Sequence, residues 1–567
     1  MKIKVVEIEN RISLMMLSAA ISGTIAVFIY FVFGIYLEDN NAIGAALLYG
    51  EFGPIGNDQL ITDYYFPFFY LLAKWCEAWQ KWPVYGIVSF LQLLLTSFGW
   101  SYLFLSWHRV HKNIWLTIAF LFLLLVLLLD SLIYQHTIRS SLLLAFSGLL
   151  IHHQFIVVGS GNGKLTRLAF FLYLTGLIVR MHAPVLVLSL FIGFYCLSGY
   201  GVRRVLFEFR YYIFFSALFI GVYQLNGLFD ENFGKYIEAN YEYAILEKKS
   251  FYPLSEMKSA KDSIKYHCIQ QFFITDTAEF TKEFFERVVN VNYPKQQFWH
   301  ISSIQQALKQ LANGWSEVGK DTFPVLLAFI VSVWFANARK KDVVNAILFF
   351  FIAHAVLFTL VLVLVDEMKI RLFSPFVAAT TISLGLIILF PAEGAKRKYL
   401  GIFLLMVALA VLSIKLPKTL EMAKNLRETE EQNLSKALKL KEYNYQHPVI
   451  SFVFSEIPLP SAIFFRQKNL LYPNLAYFDA GYLTYFSYTR SRFEKLFGCS
   501  PLDYQALIEL FDSRNDIRYY LTEERKKLVE DYFRIVYRTE LIFTPAPEQP
   551  DAELNGRMYC LTTAPKL

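Results

Sequence analysis

The order of apolar and polar positions along the chain predicts most of its elements. Apolar runs that cross about 30 Å of hydrocarbon need roughly 20 helical residues, fewer where neighbouring helices shelter the ends. Such runs predict helices near 12–37, 83–107, 113–133, 140–158, 165–179, 183–200, 211–228, 322–338, 343–365, 372–391 and 399–415, about eleven in all. The first run is too long for a signal-peptide core and no small-residue cleavage site follows it, so it reads as a retained anchor. After Leu416 the pattern changes. A charged helical stretch, Glu421 to Lys441, is followed by strand-like runs at Val449–Phe454, Ile517–Leu521, Tyr532–Phe543 and Arg557–Thr562. Helical runs at Leu502–Ser513 and Glu523–Tyr532 alternate with them. The pattern predicts a polytopic α-helical membrane protein with a small C-terminal α/β or α+β domain. Its expected division is a transmembrane domain at 1–416, with outer loops at 38–82 and 229–321, and an extracytoplasmic domain at 417–567.

Composition narrows the class. Of 567 residues, 55% are hydrophobic, 17% aromatic and 18% charged, against about 25% charged in soluble domains. That deficit excludes a soluble enzyme, a disordered scaffold and a nucleic-acid binder, despite a formal net charge of +7. The basic residues matter for where they sit. With Lys2, Lys4 and Arg11 cytoplasmic, the inner connections hold His108–Lys112, Lys164, Arg203-Arg204, Arg339–Lys341 and Lys396–Lys398. Every short inner loop is then basic, as the positive-inside bias requires, which predicts a multi-pass protein with its C-terminal domain outside; the membrane expected for it is a bacterial inner membrane. Five cysteines without paired spacing give neither a zinc site nor a disulfide-dense framework. Cys499 and Cys560, in the outer domain, leave a disulfide and two free thiols equally open.

Ionisable groups gather at short turns on the predicted outer face. Glu38-Asp39-Asn40-Asn41 follows the first span, with Asp58 and Asp63 further on. The later turns read Tyr134-Gln135-His136-Thr137-Ile138-Arg139, Arg180-Met181-His182 and Asp366-Glu367-Met368-Lys369-Ile370-Arg371. A single arginine at a helix end can snorkel to the headgroups without further role, and Asp39 at a helix start can act as a cap. Carboxylates opposite several cations on one face instead suit a phosphate-bearing substrate and a hydroxyl that must lose a proton.

At these residues the chain resembles the integral-membrane glycosyltransferases of the GT-C superfamily, which use polyprenyl-phosphate sugars as donors. The similarity lies in the acidic pair Glu38-Asp39 after the first span, with Ala45–Gly50 and Thr62–Pro67 beyond it. It continues in Gln135 and Arg139 leading into a Leu-rich helix, in Arg180-Met181-His182, and in Arg371-Leu372-Phe373-Ser374-Pro375 before a late span. It covers roughly 1–415 in layout, and an added outer domain is common in the family. Two departures stand out: Glu precedes Asp in the first pair, and His182 replaces an acid after the arginine turn, which also lacks proline.

The resemblance implies a GT-C-like fold and an enzyme of glycan biosynthesis in the cell envelope, moving a hexose or pentose. The donor would be a polyprenyl-phosphate-linked sugar and the acceptor a glycan, lipid or protein. It implies Asp39 as the base for the acceptor hydroxyl, with Glu38 and Asp63 as second choices for base or metal contact. Arg139, Lys369 and Arg371 would neutralise the phosphate, with Arg180, His182 and Gln135 beside them. A divalent metal is left open. So are an O-antigen polymerase or ligase, which rests more on arginines than on a first-loop carboxylate, and a non-enzymatic transporter or assembly protein. Transport predicts charge near mid-membrane and internal repeats; this sequence places charge at one rim.

Other segments read as structure. The aromatic run Asp63 to Trp79 predicts a helix lying along the outer surface. Loop 229–321 carries an amphipathic stretch near Gln297–Leu311, suited to covering an acceptor groove or packing on the outer domain. Gly159–Lys164 looks like a phosphate loop, but Val158 and Leu165 stand where Gly and Ser or Thr are required. His108, His111 and the His152-His153 pair lack neighbouring acids for a metal site. Arg427–Glu431 reads as a solvated helix face.

Overall fold

A computed structural model describes residues 2–37, 82–111, 113–158, 163–229, 259–271, 273–276, 278–288, 301–335, 340–364, 370–389, 396–452, 457–459, 472–478, 487–550, 554 and 556–564, with positions 72, 74–76, 78, 79 and 257 between them. The chain forms two compact units: Met1–Asn41 with Gly86–Tyr223 and Gln297–Arg427, and Ala42–Tyr85 with Gln224–Gln296 and Glu428–Leu567.

The first unit is helical. Its helices are α1 (Lys2–Phe28, ending in a π turn at Ile29–Phe33), α2 (Val84–His111), α3 (Ile114–Ile133), α4 (Thr137–Val158), α5 (Gly163–Val179), α6 (His182–Leu197) and α7 (Val202–Phe229). Helices α8 (Ala260–Gln270) and α9 (Lys282–Val288) belong to the second unit. Then come α10 (Ile301–Phe335), α11 (Lys340–Leu364), α12 (Ile370–Leu389) and α13 (Lys396–Gln446). Every expected span falls on a helix, but among the described residues five are long and apolar enough to cross a membrane: Ser13–Phe33, Val84–His108, Ile114–Ile133, Val202–Val222 and the apolar part of Lys398–Gln446. Five more apolar stretches, at Thr166–Val179, His182–Leu197, Thr322–Ser332, Val343–Thr359 and Phe373–Ile387, are shorter. Shelter by neighbouring helices permits short spans, and α4 shows the extreme of it. Its Ser147 meets Gly99 of α2, its Gly148 meets α5, and Phe146 packs on Phe191 of α6 and Phe376 of α12. A helix walled in by protein can carry Arg139, His152 and His153.

Small residues set the closest approach in this unit. A Cβ on Gly148 would lie 2.6 Å from the carbonyl oxygen of Ala169, and one on Gly176 would lie 2.8 Å from that of Ser141. The backbones of α4 and α5 therefore touch, the arrangement that lets apolar helices associate through van der Waals contact.

The second unit is α+β. Five strands, β3 (Val449–Ser451), β4 (Leu475–Tyr477), β5 (Arg518–Leu521), β6 (Glu540–Pro545) and β7 (Arg557–Ala564), form one sheet in the order β4-β3-β5-β7-β6. β3 runs parallel to both β4 and β5, with Ile450 opposite Ala476 and Tyr519. β7 is antiparallel to β5 and β6, with Tyr520 opposite Met558 and Ile542 opposite Thr562. Helices α14 (Ser487–Phe497), α15 (Tyr504–Ser513) and α16 (Glu523–Tyr532) pack on it. Asp503 caps α15 through the Ala506 N–H, and Thr522 caps α16 through the Arg525 N–H, where Glu523 and Glu524 also favour the helix start.

The domain division differs from the one expected at 416/417. α13 runs unbroken through that point to Gln446, so the chain changes unit inside a helix. Loop 229–321 also divides. Its last part is the front of α10, continuous with the following span, while α8 and Phe273 enter the core of the sheet unit beside Phe478 and Tyr532. Of the expected aromatic helix, Leu72, Lys74–Cys76 and Ala78 are helical, with Leu72 and Cys76 buried and Trp75 and Trp79 stacked and exposed. β4 and α14 have no counterpart in the sequence reading, and Tyr532–Tyr537, expected in a strand, is helical. All five cysteines are free; burial, with Asp503 and Glu494 nearby, pushes the Cys499 thiol up to about 11.

One buried carboxylate ties the 273–280 segment to the sheet unit. Asp276 is 1% exposed and accepts hydrogen bonds from the Tyr532 hydroxyl at 2.6 Å and from the Tyr537 hydroxyl. Burial raises both phenols far above their usual range and the carboxylate adds to it, so both remain donors. Thr275 and Tyr504 hydroxyls join 2.9 Å apart beside this group.

Two consequences are measurable. Tyr532→Phe leaves a buried carboxylate short of a donor, at a cost of about 1–3 kcal/mol, and lowers the melting midpoint of the full-length protein; an unchanged midpoint removes Asp276 as the tie. Gly148→Ala forces α4 and α5 apart for about 1–3 kcal/mol, whereas Gly23→Ala, with no atom within 4 Å of the new methyl, has no such effect. Equal melting of the two variants in detergent contradicts the close packing.

Candidate functional site

The described parts of the chemistry-bearing turns lie at one end of the helical unit. The direction of each helix follows from contacts. Gly401 lies against Leu116, and Lys415 pairs with Asp130 at 2.8 Å, so α13 runs parallel to α3. Trp315 packs on Phe373 and Phe329 on Gly385, so α10 runs parallel to α12. Phe329 also stacks near Phe120, which fixes the Leu389 end of α12 at the Ile114 end of α3. The first turn of α12 therefore lies at the same end as Asp130 and the start of α4.

Several contacts build this end. A short parallel bridge joins β1 (Tyr36–Leu37) to β2 (Tyr134–Gln135), pairing Tyr36 with Tyr134 and Leu37 with Gln135. Gly34 makes the approach, at φ 85, a conformation that favours glycine, and the Tyr36 hydroxyl donates to the Ala423 carbonyl at 3.2 Å. His136 is buried, and its Nδ1 accepts the Ile138 N–H at 3.0 Å, which caps α4 and leaves the ring proton on Nε2. Ser141, one turn in, lies 2.8 Å from the Gly176 carbonyl and 2.7 Å from that of Arg180, so its hydroxyl holds the Arg180–His182 turn against the start of α4.

The electrostatics are mixed but lean positive. Arg139 is 8% exposed and donates to the Asp130 carbonyl at 3.4 Å. Lys415 is 7% exposed, while its partner Asp130 is 39% exposed, so the carboxylate is the accessible member of the pair. Taking a lysine out of water is expensive unless a counter-charge meets it, which Asp130 supplies. Arg180 is half-buried and His182, in the first turn of α6, is exposed. The helix starts at Thr137, His182 and Ile370 all lie here and add the partial positive charge of helix N-termini. Such an end can take up a phosphate and can hold a hydroxyl near an acid.

The expected site residues divide into three groups. Arg139, Arg180 and His182 are brought to one end. Gln135 in β2 and Arg371 in the first turn of α12 reach it by backbone, with side chains outside the described residues. Glu38, Asp39, Asp63 and Lys369 lie outside the described residues altogether. Among the described residues no three His, Cys, Asp or Glu side chains are grouped to hold a metal. His152 packs on the rings of Phe209 and Tyr212, and His153 Nδ1 meets the Tyr195 hydroxyl at 2.6 Å, so this pair belongs to helix packing at the other end.

Sequence reasoning missed Asp130, Lys415 and Tyr36, and named His136 only as a member of its turn. A signal existed for the first two: each is a lone charge at the margin of an apolar run, and such residues need a partner or a task. Comparison with known proteins adds no relative: no family model, no curated protein and no solved structure matches the chain.

Proposed function

We propose that the protein is a polytopic membrane glycosyltransferase of GT-C type, moving a sugar from a polyprenyl phosphate to a glycan, lipid or protein acceptor on the extracytoplasmic face. The observation that carries this reading is the β1–β2 bridge, which fastens the chain just before Glu38-Asp39 to the chain just before Arg139. The bridge sets Leu37 beside Gln135, and Glu38-Asp39 follows Leu37 directly in the sequence. Arg139, Lys415 and the Arg180 turn at that same end support the phosphate side of the reading.

In the proposed reaction the acceptor hydroxyl oxygen attacks the anomeric carbon as the bond from that carbon to the phosphate oxygen breaks. Polyprenyl phosphate leaves with the bonding pair, and the hydroxyl proton passes to Asp39. Glu38 and Asp63 are the second choices for that base or for a metal contact. An already acidic phosphate needs positive charge rather than a general acid, and Arg139, Lys369 and Arg371 supply it, with Arg180, His182 and Gln135 alongside. Asp130 and Lys415 join this set as a pair that fixes local charge beside Arg139.

The test uses full-length protein in proteoliposomes with radiolabelled mannosyl, glucosyl and arabinosyl polyprenyl phosphates and cell-envelope glycan as acceptor. One donor is consumed by the wild type, and Asp39→Asn lowers that rate by about 10²–10⁴, the range for loss of a positioned base. Arg139→Gln lowers it by roughly 10²–10³, as loss of one charge-stabilising group does. Consumption of no donor by a folded wild type rejects the reading. Wild-type turnover in Asp39→Asn with loss in Arg371→Gln transfers the weight to the arginine-based polymerase or ligase chemistry.

A further inference from the structure

The opposite end of the helical unit carries a second cationic feature that the proposed reaction does not use. α7 buries one stripe, Val205, Phe209, Tyr212 and Ser216, against α4, α5 and α6, where Phe209 and Tyr212 pack on His152 and the Tyr173 hydroxyl meets Ser216 at 2.7 Å. Its other face is exposed. Among the five long apolar helices its apolar window is the least buried, at 22%.

That exposed face is not uniformly apolar. Arg203 and Arg210 lie seven residues apart, which on a helix puts them on one side, and between and beyond them stand Phe207, Tyr211 and Phe214. The Arg210 guanidinium sits 3.9 Å from the centre of the Phe207 ring and 4.7 Å from that of Tyr211, and donates to the Phe207 carbonyl at 2.8 Å. It thus points back toward the start of the helix, where Arg203 and Arg204 are exposed. No acid stands in the first turn, so positive side chains crowd the positive end of a helix, an arrangement that favours an anion. Glu208, the nearby acid, is half-buried on a different side of the helix.

We propose that this face is a binding site for an anionic membrane phospholipid. Arg203 and Arg210 hold the headgroup phosphate, and Phe207, Tyr211 and Phe214 lie along the acyl chains. Charge complementarity selects the occupant: an uncharged lipid or a purely apolar helix would leave two guanidiniums in an apolar setting without a counter-ion. The proposal rests on α7 crossing a membrane and is independent of the glycosyl-transfer reading.

Native mass spectrometry of the full-length protein in detergent tests it, with phosphatidylglycerol and phosphatidylcholine of identical acyl chains as probes. The wild type retains phosphatidylglycerol over phosphatidylcholine by roughly tenfold or more, as two arginines near an anionic headgroup give. Arg203→Gln with Arg210→Gln removes that preference, and Arg167→Gln, an exposed arginine on α5, keeps it. Because the substituted side chains are exposed, an unchanged melting midpoint without lipid certifies the fold; added phosphatidylglycerol then raises the wild-type midpoint alone. Equal retention of the two lipids by the wild type, or an undiminished preference in the double variant, overturns the proposal. A dimer that persists without lipid and is lost in Phe207→Ala with Phe214→Ala also overturns it, by assigning the face to a second copy of the chain.

Discussion

The contact between the backbones of α4 and α5 governs the helical unit. Gly148 against Ala169 and Gly176 against Ser141 bring two helices together with no side chain between them, and Ser141 then reaches the carbonyls of Gly176 and Arg180. In an apolar surrounding, helices have no hydrophobic drive to associate, so close packing and hydrogen bonds must do it. The same contact sets the register of the Arg180 turn against the start of α4. The Arg180 turn lies against the start of α4 because two glycines let it.

From that register the rest of the end is assembled by partners distant in sequence. Lys415 arrives on α13 to meet Asp130, Tyr36 reaches Ala423, and two residues after α1 pair with two residues after α3. Each is a small interaction, but together they gather cations, helix starts and an accessible carboxylate at one rim. Burial keeps Arg139 and Lys415 in place, since moving either would strand a charge or its partner. The sheet unit shows the same economy in a different setting: Asp276, accepting from Tyr532 and Tyr537, joins α8 and its neighbours to a fold whose strands come later in the chain.

What could be read in the sequence follows from the range of the forces involved. Helix positions were legible because an apolar run of fixed length is a local property, but their ends were not: α1, α7 and α10 begin well before the expected runs and α13 continues well past its own. The number long enough to cross a membrane was not, since a span such as α6 or α12 depends on neighbours for shelter. Strands β5 and β7 and helices α15 and α16 were legible from alternation and from apolar spacing. β4 was not, being three residues long, and α14 was hidden by its arginines, lysine and tyrosine. The entry of α8 and Phe273 into the sheet unit is a tertiary fact with no local signature. At the site, the turns were legible as clusters of charge, whereas the Lys415–Asp130 pair and the β1–β2 bridge needed three dimensions. The acids that matter most to the catalytic reading, Glu38 and Asp39, follow Leu37 in the sequence and lie outside the described residues.

The proposed function requires a phosphate to bind at the start of α4 and α12. A cryo-EM map of the full-length protein in nanodiscs with polyprenyl phosphate tests it most directly. The account predicts phosphate density within about 3 Å of the Arg139 guanidinium, the distance of a charge-assisted hydrogen bond, with the prenyl chain running down beside α12. Phosphate density at the opposite end, beside Arg203, with the Arg139 end empty, would contradict it.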